Sequence, residues 1–136
     1  MQPIGQHLGK EYKLRHKQLI DTLFQTGLVK KQSPFLLYYK LMPLPTESAI
    51  QVVFSAPKRK FKRAVDRNRI KRVLRELFRK NKLILESPLT SKKLQLALFL
   101  IYNGTVDANE KELERRFIQL MNQISHAIPQ NNSSEN

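Results

Sequence analysis

Residues 65 to 80 read VDRNRIKRVLRELFRK, and two patterns are superposed there that few folds can satisfy together. Ile70, Val73, Leu74, Leu77 and Phe78 stand at i, i+3, i+4, i+7 and i+8. At about 100° per residue that spacing gathers them into one apolar stripe, which has to be buried against another layer. Asn68, Arg72, Arg75 and Arg79 fall on the opposite side of the same helix, flanked by Arg67, Arg69 and Lys71. Over the wider stretch from 58 to 80 there are twelve Lys and Arg against only Asp66 and Glu76. The helix must therefore belong to a packed core on one side and carry a dense positive charge on the other.

The remaining segments supply what that stripe packs on. Leu19, Ile20, Leu23 and Phe24 have helical spacing, so a short helix is predicted over about 17–26, with Gly27 as a left-handed stop. PFLLYYKL at 34–41 and IQVVFS at 50–55 read as strands, the second with Ile50, Val52 and Phe54 alternating, and the two are predicted to pair antiparallel. Residues 28–33 add a short edge strand. Asp66 is placed as the cap of the basic helix, and Pro88 in a linker. KLQLALFLIY at 93–102 is apolar on both faces, as in a strand covered on both sides. Leu113, Phe117, Leu120, Ile124 and Ile128 form the buried face of a last long helix, with Asp107 and Glu110 at capping-box spacing. The order is an α+β arrangement of helices on a mostly antiparallel sheet. One domain is expected over 13–128, between a flexible arm at 1–12 and a disordered tail at 129–136.

Charge narrows the function. The chain of 136 residues carries a net +14, yet residues 106–136 hold five acids against three Lys and Arg. The positive charge is thus a local surface. A solubilising face normally mixes signs in i, i+4 pairs, whereas here only Glu76 interrupts, in reach of Arg72 or Lys80. Such a surface calls for a polyanion. No helix-turn-helix or zinc-ligand spacing points to duplex DNA. Aromatic residues beside a basic helix suit RNA, where unpaired bases stack on rings. Phe24, Phe35, Tyr38, Tyr39 and Phe61 are candidate stackers, although core burial is the stronger reading for Phe35, and Phe54 is taken as core. Acidic lipid would require an exposed apolar helix face, and the stripe is needed inside.

Chemistry by side chains is not expected. The acids are scattered or lie in the first turn of the last helix, and His7, His16 and His126 share no motif spacing. No Gly-rich phosphate loop and no cysteine occur, and the longest apolar run, 96–102, is too short to span a bilayer. A cytoplasmic protein is expected.

AVDRNRIKRVLRELFR closely resembles the Arg-Asn-Arg signature of the bacterial ribonuclease P protein components. The resemblance extends over most of 13–125, with LIDTLFQTG resembling that family's first helix and PFLLYY its first long strand. It implies an αβββαβα two-layer sandwich with a left-handed βαβ crossover, against the right-handed default. It also implies an RNA-binding subunit of a ribonucleoprotein endonuclease that removes the 5′ leader of precursor tRNA, the chemistry being done by the RNA with Mg2+ that the RNA mainly holds. By the same resemblance Arg67, Asn68, Arg69, Lys71, Arg72 and Arg75 would contact the catalytic RNA. Ile20, Phe24 and Tyr38, with Lys58, Arg59 and Lys60, would form the cleft for the leader. The expected partners are the catalytic RNA and precursor tRNA, with no membrane and no obligate protein partner. This chain departs from the family's pattern at Ile20, where many members have an aromatic residue, at Lys62 in place of a frequent Gly, and at Pro57-Lys58-Arg59 in place of Ser-Lys-Lys. Outside the family, a structural RNA-binding protein of ribosomal type would share the charge.

Overall fold

The computed structural model describes residues 17–129. The predicted arm at 1–12 and, apart from Pro129, the predicted tail lie outside the described residues, as do His7 and His16. The elements run α1 (Lys17–Thr26), β1 (Leu28–Gln32), β2 (Phe35–Leu41), β3 (Ile50–Ser55), α2 (Ala64–Asn81), α3 (Leu83–Lys92), β4 (Leu96–Tyr102) and α4 (Glu110–Ala127). This is the expected α+β framework with one helix, α3, added.

The four strands lie in the order β1-β2-β4-β3. β1 and β2 form a hairpin whose register brings Gln32 opposite Phe35, turning at Ser33–Pro34. β2 pairs antiparallel with β4, and β3 pairs parallel with β4. The predicted direct pairing of 34–41 with 50–55 is therefore corrected: β4 stands between them. The reason lies in the segment that follows β2. Pro43 and Pro45 prevent a tight hairpin, and Gln95, just before β4, ties the segment down instead. Its amide nitrogen donates to the carbonyls of Thr46 (2.6 Å) and Ser48 (2.9 Å), and its amide oxygen accepts from Leu44 N–H at 2.9 Å. A strand apolar on both faces is best used in the middle of a sheet, and β4 is there, with Leu96, Ala97, Leu98, Leu100 and Tyr102 all buried.

Each face of the sheet has its own cover. Phe35, Leu37, Ile50, Val52, Leu98 and Leu100 meet Ile70, Leu74, Leu77 and Phe78 of α2, Leu85 and Leu89 of α3, and Leu113, Phe117, Leu120 and Ile124 of α4 in one core. On the other face Leu23 of α1 is fully buried with Ala97, beside the partly buried Leu19, Ile20, Tyr38, Val53 and Phe99. At roughly 1.5–3 kcal/mol for each large apolar side chain removed from water, the α2 and α4 stripes are major sources of stability.

Several local expectations are replaced. The linker around Pro88 is helical, because burial of Leu85 and Leu89 outweighs the local cost of proline, and the helix closes on Lys93 at φ 57°, ψ 41°. Gly27 does follow α1, but not in a left-handed conformation. Glycine is required there because a Cβ would lie 2.3 Å from the Leu23 carbonyl oxygen. Asp66 does not cap α2: Arg63 occupies the cap position with no side-chain hydrogen bond, and Asp66, already inside the first turn, sits 3.9 Å from the Arg63 guanidinium. In α4 the cap is Asn109, whose side chain accepts from Glu112 N–H at 3.0 Å, in place of the predicted pair Asp107 and Glu110. An Asn can reach that amide from the residue just outside the helix, and Asp107 lies too far upstream.

Candidate nucleic-acid interface

The polar side of α2 is set by the burial of its stripe. With Ile70, Leu74, Leu77 and Phe78 held in the core, Asn68, Arg69, Arg72 and Arg75 are exposed, and Lys71 is half-buried. Among the described residues no salt bridge engages Arg69, Lys71, Arg72 or Arg75. Glu76 does not pair with Arg72 or Lys80 as its spacing allowed. It forms a bidentate ion pair with Arg79, one turn away, and this hydrogen bond holds its carboxyl below the usual carboxylate range. Arg79 is thereby withdrawn from the free cations, and the unpaired charge is concentrated in the first two-thirds of the helix.

A groove of about 610 Å³ separates α2 from α4, with Arg69, Arg72 and Lys80 on one wall and Glu110 and Glu114 on the other. Lys111 of α4 stands among these acids and Glu76 lies on the α2 wall, so the groove is lined by charges of both signs.

Arg67 behaves differently from its neighbours. It is half-buried, and its Nη1 donates to the backbone carbonyls of Phe61 (2.8 Å) and Lys62 (3.0 Å) in the loop leading into the helix. That loop leaves β3 through buried Ala56 and exposes Lys58, Arg59 and Lys60 in succession.

The second region lies on the α1 side of the sheet. The Phe24 ring is 41% exposed and is held edge-on to Tyr38 at a centroid distance of 4.8 Å and tilted against Phe99 at 4.7 Å. These contacts fix an aromatic surface at one rim of the face, with an exposed ring to offer a base. Ile20 is partly buried on the same side of the sheet, in the cluster that contains Tyr38 and Phe99. Of the other candidate stackers, Phe35 is core, as expected, and packs on Phe117 and Tyr102, whereas Phe61 is corrected to a core residue lying nearly parallel to Tyr102. Tyr39 is partly buried and packs against the core on the opposite face. Phe54 is core, as expected, against Phe78. Among the described residues no group of three or more His, Asp or Glu could hold a metal ion.

Residues 8–125 match the family model described as Ribonuclease P. The chain belongs to the ribonuclease P protein family. A ribonuclease P protein component from Chlorobaculum tepidum is 35% identical over 128 residues, covering 85% of this chain and 82% of that relative. One from Porphyromonas gingivalis is 26% identical over 122 residues, covering 90% and 89%. Among solved structures, the RNase P protein of Staphylococcus aureus superposes with a TM-score of 0.64 at 18% identity, over 87% of this chain and 98% of that one. That of Thermotoga maritima gives 0.65 at 18% identity, over 82% and 96%.

Within the ribonuclease P fold the signature triplet divides structurally: Arg69 and Asn68 are exposed, whereas Arg67 is engaged with the preceding loop. Sequence reasoning missed Phe99, which holds the Phe24 ring from below. Its signal was present, since a strand apolar on both faces must place alternate rings on the α1 side. It also missed the Arg67 contacts, which involve backbone carbonyls and leave no mark in residue identity.

Proposed function

We propose that this chain is the RNA-binding protein subunit of ribonuclease P, acting in tRNA processing in the cytoplasm. Its exposed α2 face, with Asn68, Arg69, Lys71, Arg72 and Arg75 and with the remaining donors of Arg67, binds the catalytic RNA. The aromatic pair Phe24 and Tyr38, together with Ile20 and with Lys58, Arg59 and Lys60, receives the single-stranded 5′ leader of precursor tRNA. The RNA subunit performs the endonucleolytic cleavage with Mg2+ that it mainly binds itself, and the protein assists substrate and metal binding. The observation that carries this reading is a cationic helix face left without ion pairs in the free protein, in a member of the ribonuclease P family. An anionic backbone is what would satisfy it, by charge-assisted hydrogen bonds and counterion release.

The deciding experiment is cleavage of precursor tRNA by the cognate ribonuclease P RNA at low magnesium, with and without the protein. Cleavage at the mature 5′ end that depends on the protein is expected. Binding of the RNA with no gain in cleavage would reject the subunit role and leave a general RNA-binding protein.

A further inference from the structure

The loop between β3 and α2 poses a physical problem. Lys58, Arg59 and Lys60 are consecutive, exposed and of like charge, and a chain segment of that kind tends to spread by self-repulsion. It is nevertheless tied at three points. The Pro57 carbonyl accepts the N–H of Lys60 at 3.1 Å and of Phe61 at 2.9 Å, closing a turn. The Phe61 ring is buried and stacked on Tyr102 at 6.0 Å. Beyond Phe61, Arg67 reaches back from the helix to the carbonyls of Phe61 and Lys62. Both hydrogens of Nη1 are used in this clamp, which a single ammonium on a shorter, unforked head would reproduce less well.

We infer that Arg67 is a positioning residue for the cationic loop: it fixes Lys58, Arg59 and Lys60 in one arrangement, and contributes to leader binding through them. The inference rests on the reading of this loop as a leader contact. Holding three rotamer-rich cations on a fixed backbone lowers the ordering cost of binding. It also joins the two proposed RNA surfaces mechanically, because the clamp is anchored on the helix that faces the catalytic RNA.

The test uses the reconstituted holoenzyme under non-cleaving conditions. The affinity for precursor tRNA with a leader is divided by that for the same tRNA without one, for wild type, Arg67→Ala, the triple variant K58A/R59A/K60A, and the four substitutions combined. Arg67→Ala is expected to lower this ratio roughly three- to tenfold in the wild-type background. It should lower it no further in the triple-alanine background, and Arg67→Lys should recover part of the loss. Equal losses in both backgrounds would overturn the inference, since Arg67 would then act by its own charge. A triple variant that keeps the full leader preference would instead overturn the reading of the loop, and the inference with it. Amide exchange of the free protein separates the clamp from RNA binding altogether. The Lys60 and Phe61 amides should exchange faster in Arg67→Ala, and unchanged protection would refute the clamp.

Discussion

Helices α2 and α4 are both 18 residues long, and both bury an apolar stripe in the same core, yet their polar faces are finished differently. In α4, Asn109 caps the first turn, and Glu112 takes both Arg115 and Arg116, the latter with Nε at 2.8 Å. Arg116 also donates to the Ser33 carbonyl, and Gln119 and Gln123 bond to Gln32 of β1. In α2 the cap position has no side-chain hydrogen bond, Asp66 lies beside Arg63 and Glu76 is engaged by Arg79, leaving Arg69, Lys71, Arg72 and Arg75 without an acid partner among the described residues. Arg115 and Arg116 of α4 are thus held within the protein, whereas those four cations of α2 have no ion pair among the described residues. Charge content separates the two cases: α2 carries seven Lys and Arg against Asp66 and Glu76, whereas α4 carries three against Glu110, Glu112 and Glu114, enough acid for i, i+3 and i, i+4 pairs.

The sharpest way to break the comparison is to test whether the buried faces are equivalent. Leu74→Ala in α2 and Leu120→Ala in α4, both at sites with almost no exposure, should each cost about 2–5 kcal/mol in denaturant unfolding. A large difference between them would show that the two stripes do not share one core. On the polar faces the helices should diverge. Arg72→Ala should weaken binding of the catalytic RNA by about 1.5–3 kcal/mol and reduce the slope of log affinity on log salt by about 1. Arg115→Ala in α4 should leave both unchanged. Conversely, Glu76→Gln releases Arg79 and should steepen that slope; an unchanged slope would place Arg79 outside the interface.

The ends of the helices give smaller effects. Asn109→Ala should lower stability by about 1 kcal/mol, while Arg63→Ala at the equivalent position of α2 should not, as read by thermal melting. The smallest concerns acid. Hydrogen bonds from Arg115 and then Arg116 hold the Glu112 carboxyl down to about 2. Because its folded value lies below the unfolded one, its stabilisation is present at neutral pH and is lost as pH falls from about 4.5 toward about 2. Glu112→Gln should therefore differ slightly from wild type at pH 7 and converge on it at the acid end of that window.

The sequence was legible where periodicity met burial. The α2 and α4 stripes, the short first helix and the doubly apolar β4 follow from spacing, because those residues are selected by the water they must avoid. Pairing of β3 was misread, since adjacency in sequence says nothing about a later strand that inserts between two earlier ones. α3 was hidden because Pro88 argues locally against a helix and only Leu85 and Leu89, buried against distant residues, argue for it. The cationic face was visible as charge, but the division of labour within it was not. Which acid holds Arg79, and which carbonyls hold Arg67, depends on rotamers and a loop path that composition does not encode.

The position of β4 has a consequence for the order of events as the chain is made. β2 and β3 share no ladder; each is hydrogen-bonded to β4, which is synthesised after both. Until Tyr102 has left the ribosome the sheet has no centre, and the α2 stripe lacks Leu96, Leu98, Leu100 and Tyr102 of the core it joins. Residues 58–80, with their twelve cations, emerge before that moment. For a few seconds at typical synthesis rates the most cationic part of the protein is exposed without its fold, next to ribosomal RNA. The late central strand thus makes charge available before shape.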